Sequence, residues 1–107
     1  MKTIKMINFI TPNIKILFGE KSGSKVRKCM GLDKLDLKES IVNIEIPKDS
    51  IWNITHTFFR GLFEPSIIKY KDKFSTHYLF THENMEELED SLSEKIKYNI
   101  DYTIERM

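Results

Sequence analysis

"IVNIEIPKDSIWNITHTFFRGLF", residues 41–63, contains the two periodicities from which the fold is read. Over 41–46 the pattern alternates: Val42, Ile44 and Ile46 share one face, while Ile41, Asn43 and Glu45 share the other. Pro47 then stops the ladder. Over 54–63 the spacing changes to that of a helix. Ile54, Phe58 and Leu62 fall on one stripe, Phe59 and Phe63 widen it, and Pro65 is expected to limit its extent. A helix apolar over most of its surface is a buried one, so Trp52 and the phenylalanines read as core. The polar step Thr55-His56-Thr57 stands where that apolar run begins.

Working outward, "IKMINF" (4–9) and "IKILF" (14–18) are apolar runs parted by Thr11-Pro12-Asn13, which reads as a hairpin. In "GEKSGSKVRKCMG", Ser22 or Ser24 is expected to cap a short helix carrying Val26, Cys29 and Met30. Gly31 is then placed to end it in the left-handed conformation. Residues 32–40 are ambiguous between a second short helix and a loop. "THYLFTHE" is a further strand, with Tyr78 and Phe80 on one side and Leu79 on the other. The last helix is expected from about Asn84, with Met85, Leu88, Leu92, Ile96 and Ile100 inward. Acidic residues early and Lys95 and Lys97 late suit its dipole. Strands alternating with helices predict one layered α/β domain over residues 1–107, with at least part of the sheet parallel.

Composition bounds the function. The chain has 107 residues, 40% hydrophobic and 31% charged, the balance of an ordinary globular domain. Lys and Arg number 17 against 16 Asp and Glu, so electrostatic capture of nucleic acid is not expected to be its main business. Cys29 is the only cysteine, which excludes an intramolecular disulfide and a cysteine-based zinc site within one chain. We read it as a small, partly buried apolar residue in a reduced, intracellular setting. No apolar run approaches the roughly 20 residues that span a bilayer. The opening "MKTIKMINFI" reads as the first strand rather than a signal peptide, so the expected location is cytoplasmic.

If strands 14–18, 41–46 and 77–81 are parallel, the loops "GEKSGS", "PKDSIWN" and "THEN" gather at the carboxyl edge of the sheet. That edge is where open α/β sheets hold ligands, and helix amino termini favour anions. Ser22, Ser24, Asp49, Ser50, Thr55, His56, Thr57, His82 and Asn84 would then be neighbours, although the same residue types are ordinary helix caps. "GEKSGSK" is not a phosphate loop, because its spacing is wrong and serine precedes lysine. His56, His77 and His82 make no metal-binding pattern: the last two point to opposite faces of a strand, and no carboxylate cluster completes a set. Ser50, His56 and Asp49 lack a nucleophile-elbow motif, so no enzyme, cofactor or metal is expected.

The stretch "IVNIEIPKDSIWNITHTFFRGLF" resembles STAS-like domains, the small bacterial relatives of anti-sigma-factor antagonists. In that group a hydrophobic strand runs into a polar turn, and a Ser/Thr-rich step opens a helix with large apolar residues. Ile54-Thr55-His56-Thr57-Phe58 and Leu62-Phe63 carry the likeness. "HYLF" and "NMEELEDSL" follow in the expected order, and Gly19, Gly23 and Arg27 resemble the glycine-rich entry to the first helix. The likeness covers about residues 14–100. It implies a STAS-like mixed sheet of about four strands with helices packed on it.

The same resemblance implies a regulatory module that works by protein–protein contact. The implied partner is a histidine-kinase-like ATPase or an anti-sigma factor, docking at Thr55, His56, Thr57 and Arg60. Thr55 or Thr57 corresponds to the family's phosphorylated position, where added charge would block docking. Two other readings stay open: a nucleotide or anion sensor using Ser22, Ser24, Asp49, Ser50, His82 and Asn84, and an inhibitor encoded by a phage or other mobile element. A homodimer through 58–63 is compatible with the sequence if part of that stretch is exposed.

Overall fold

The computed structural model describes residues 1–11, 15–38, 40–48 and 53–106. Three strands, β1 (Lys2–Lys5), β3 (Val42–Glu45) and β5 (Tyr78–Thr81), form a sheet in the order β1-β3-β5. Both ladders are parallel, and their register sets Ile4 beside Ile44 beside Phe80. A second, two-stranded parallel ladder joins β2 (Ile16–Leu17) to β4 (Asn53–Ile54). The helices are α1 (Glu20–Met30), α2 (Leu32–Leu35), α3 (His56–Tyr70), α4 (Phe74–His77) and α5 (Asp90–Glu105).

The chain therefore coils. Each of the first two turns lays down a sheet strand, a short inner strand and a helix: β1, β2, α1, then β3, β4, α3. The third supplies β5 and α5. Parallel neighbours need crossovers, and crossovers of the usual hand with sequential strand order place α1 and α3 on one face of the sheet. α3 packs between α1 and α5.

The alternation over 41–46 is realised in burial: Val42, Ile44 and Ile46 are all buried against the helices. On the opposite face Asn43 is buried too, because Thr81 Oγ1 donates to its Oδ1 at 3.0 Å and its Nδ2 reaches Met85 Sδ at 3.2 Å. Phe63 anchors the helix side, with ring centroids 5.5 Å from Phe74 and 5.4 Å from both Tyr78 and Phe80. Such edge contacts add to the hydrophobic gain of burial.

α1 and α3 meet backbone to backbone. A methyl group on Gly23 would lie 2.1 Å from the Phe58 carbonyl oxygen, and one on Gly61 would lie 2.0 Å from that of Glu20. Below this crossing runs a buried polar network. Arg27 donates to the Leu62 carbonyl at 2.9 Å, to Ser66 Oγ at 2.8 Å and to Asp36 Oδ2 at 2.6 Å, while exposed Asp33 takes its Nε and Nη2. Asp36 also accepts from Ser66 and from the Tyr78 hydroxyl. Burial, then the hydrogen bond to Asp36, push the Tyr78 hydroxyl well above its ordinary pKa.

Among the described residues β4 has no third strand beside it. Its Thr55 end donates N–H to the Leu17 carbonyl, so the Ile54 carbonyl, one residue earlier, faces away from β2. There the buried Asn99 amide of α5 donates to it at 3.3 Å.

Several expectations are corrected. The 4–9 and 14–18 runs are not hairpin partners: β1 and β2 sit in different ladders, and each pairs in parallel with a strand about one coil later. Among the described residues the main sheet has three strands, and β2 pairs only within the short second ladder. The Thr11-Pro12-Asn13 turn falls partly outside the described residues. Ser22 and Ser24 do not cap α1; both lie inside it on exposed positions, and Gly19, with φ 92°, precedes it. Cys29 is exposed rather than partly buried. Gly31 does end α1 in the left-handed region, at φ 73°.

α3 runs through Pro65 instead of stopping there. Proline removes one backbone donor, but its ring is on the exposed side, and buried Ser66 and Ile67 hold the last turns by packing. The final helix begins at Asp90, not near Asn84. Asn84 and Met85 have φ of 58° and 64°, which no α-helix accommodates, and Met85 is half-exposed. Leu88, Leu92, Ile96 and Ile100 are inward as expected.

Candidate functional site

The hydroxyl step at the start of α3 is built by the β2–β4 ladder and both neighbouring helices. Thr55 is the cap: it is extended, and its Oγ1 accepts from Phe58 N–H at 3.3 Å. Its Oγ1 also lies 3.1 Å from Thr57 Oγ1, which accepts from Gly19 N–H at 3.3 Å. The pair thus ties the entry of α3 to the entry of α1, and both threonines remain half-buried.

His56, between them, is exposed, with its ring centroid 5.5 Å from that of Tyr102 on α5. One turn on, Arg60 Nε donates to Glu64 Oε2 at 2.9 Å. The hydrogen bond and charge of Glu64, with smaller help from Glu20 and Tyr102, hold its guanidinium still further toward the protonated form. His56, Arg60, Glu64 and Ile68 follow at every fourth residue, so they line one side of α3.

His82 belongs to a different cluster. It is buried, its Nε2 accepts from Glu89 N–H at 3.3 Å, and its Nδ1 is 2.9 Å from the Ile46 carbonyl. A carbonyl can only accept, so Nδ1 carries the proton and the ring is the neutral tautomer. Nδ1 joins the ends of β3 and β5, and Nε2 ties that junction to the start of α5. Lys48 reinforces this junction: its N–H donates to Glu83 at 3.1 Å, and its ammonium pairs with Glu86 at 2.6 Å, which holds the Glu86 carboxyl below the ordinary range. Asn84 is exposed on the same turn.

The predicted rim is therefore distributed over several places. Thr55, Thr57 and Gly19 form one hydrogen-bonded cluster, and His82 and its loops form another. Ser22 lines a cleft of about 260 Å³ together with Phe9, Ile10, Leu17 and Phe58. Ser24 sits on an exposed position of α1 whose backbone abuts Gly61. Asp49, Ser50 and Trp52 lie outside the described residues. Among the described residues no group of three metal-ligating side chains converges, and no helix is long and apolar enough to cross a membrane.

Sequence reasoning missed the surface beside His56 and Arg60. Between α3 and α5 runs a groove of about 360 Å³ lined by Arg60, Glu64, Ile68, Tyr102, Thr103 and Arg106. The Arg106 guanidinium lies 4.5 Å from the Tyr102 ring centroid, and Tyr102 stacks in turn on the exposed Tyr98 at 5.9 Å. The signal was available: Tyr98, Tyr102 and Arg106 repeat at four-residue spacing on the polar side of the last helix. The chain matches no protein-family model, no curated protein and no solved structure.

Proposed function

We propose that this chain is a non-enzymatic interaction module of STAS-like type that docks a regulatory protein on the outward side of α3, from the Thr55-His56-Thr57 step through Arg60. The observation that carries this reading is the division of α3 itself. Phe58, Phe59, Leu62 and Phe63 are buried, while His56 stands exposed and Arg60 half-exposed directly above the hydroxyl pair. A surface so placed is held rigid by the core yet is open to a partner.

Thr57 is the proposed switch. A phosphoryl group there would add about −1.5 to −2 charge. It would also displace the Gly19 N–H bond at the start of two helices and set an anion on the docking edge beside Arg60. The partner class carried over from the resemblance is a histidine-kinase-like ATPase or an anti-sigma factor. The anion-sensor reading is the weaker one, because three amides at these helix entries are already engaged: Gly19 N–H by Thr57, Phe58 N–H by Thr55 and Glu89 N–H by His82.

The test is capture of protein partners on the immobilised chain, compared with Thr57→Glu and His56→Ala variants. Partner capture should fall at least tenfold for Thr57→Glu while its melting temperature stays close to that of the parent. Parallel loss of binding and of melting temperature would assign Thr57 to helix capping alone.

A further inference from the structure

Resting on that docking surface and deepening it, we infer that the α3–α5 groove is a carboxylate clamp: Arg60 and Arg106 grip an Asp or Glu side chain of the partner, and Tyr98, Tyr102 and Ile68 seat the apolar residue beside it.

The donors define the chemistry. Arg60 gives only its Nε to Glu64, and among the described residues its two terminal nitrogens have no partner. The Arg106 side chain makes no ion pair or hydrogen bond among the described residues; its guanidinium lies against the face of Tyr102. A guanidinium laid on an aromatic ring is pre-oriented and partly desolvated, so less freedom is lost when its N–H fork meets a ligand. Planar forks of this kind match a carboxylate with two parallel hydrogen bonds.

The charges select the ligand. Two guanidiniums line the groove against one carboxylate, Glu64, and Glu20 acts on Arg60 from α1. A singly charged carboxylate balances Arg106. A phosphoryl group of about −2 would instead meet the fields of Glu64 and Glu20, so the clamp fits Asp or Glu.

The rest of the groove has the composition of an interface centre. Ile68, 51% exposed, lines the same channel as the arginines, and Tyr98, 62% exposed, stacks on Tyr102 beside it. Tyrosine and arginine are the residue types that dominate binding energy at protein contacts, through large rigid area combined with polar reach. The other clefts lack this character: the one between β5 and α5, about 320 Å³, is lined chiefly by Tyr78, Phe80, Leu88, Ile96 and Ile100 and holds no arginine.

The test is selection of a random linear-peptide phage library on the full chain, followed by titration of the synthetic consensus peptide. The consensus should carry Asp or Glu next to an aromatic or large aliphatic residue. Its affinity should fall about tenfold for Arg106→Gln and for Arg60→Gln, with melting temperatures unchanged. Changing the peptide's acidic residue to its amide should cost the same factor on the parent protein and little on Arg106→Gln, the signature of a direct pair. Failure to select any peptide, a consensus without an acidic residue, or binding that survives both arginine changes would overturn the clamp. A partner protein lost with Thr57→Glu but retained by Arg106→Gln would leave the docking surface standing and remove only the clamp.

Discussion

α3 has two flanks, and they are built on opposite principles. Toward α1 the helices touch through Gly23 and Gly61 with no room for a methyl group, and Arg27, Asp36, Ser66 and Tyr78 fill the space below with mutual hydrogen bonds. Toward α5 the same helix leaves a channel of about 360 Å³ whose guanidinium N–H groups are largely unspent. One flank uses up its polar groups internally and is stability; the other keeps them available and is surface. Buried charge alone does not mark a site. What separates the two flanks is whether the donors already have acceptors.

Perturbing each flank should therefore give different readouts. The largest loss is expected for Gly61→Ala, whose methyl would strike the Glu20 carbonyl and the Ser24 nitrogen, both backbone atoms that cannot step aside. It should lower unfolding free energy by about 3 kcal/mol, the upper end for overpacking, as read by the midpoint of denaturant unfolding. Asp36→Ala should cost nearly as much, about 3 kcal/mol. It leaves the Arg27 charge buried with exposed Asp33 as its one carboxylate partner among the described residues.

Tyr78→Phe should cost about 1.5 kcal/mol at neutral pH, the value of a hydrogen bond to a charged acceptor. It should also change the alkaline limb. The ordinary tyrosine value is 10.0, and burial and Asp36 raise Tyr78 well above it. The folded chain keeps this proton where the unfolded chain releases it, so its contribution is complete below about pH 10 and declines as pH rises above it. Tyr78→Phe should flatten that decline in a series of melts. Thr55→Ala should cost about 1 kcal/mol through the lost cap. On the open flank, Arg106→Gln and Tyr98→Ala should shift stability by less than about 0.5 kcal/mol. A large destabilisation by either would erase the contrast between the flanks.

Residues 41–63 disclosed much of the architecture. Strict alternation around Val42, Ile44 and Ile46 and the helical stripe of Phe58 and Leu62 can each be satisfied by one backbone period, so both were legible. The pairing of β1 with β3 was not, because Ile4 meets Ile44 across an intervening helix, and nothing local in "IKMINF" distinguishes that partner from a hairpin. Pro65 and the Asn84–Met85 turn misled for related reasons. Proline's local cost was outweighed by the burial of Ser66 and Ile67, whereas left-handed φ at Met85 is a property of tertiary context. At the candidate site, Thr55's capping role and the exposure of His56 could be read from residue type. The consumption of His82 by Ile46 and Glu89 required knowing which loops meet.

The Asn99 amide on the Ile54 carbonyl has one further consequence. A two-stranded ladder has an edge, and an edge left bare is a template for another chain. By spending a side chain of α5 on that edge, the molecule terminates its own growth, much as a stopper closes a thread. An Asn99→Leu chain would keep the branched shape of that side chain yet leave the Ile54 carbonyl without this donor, and the cost would be expected less in melting temperature than in a slow drift toward self-association.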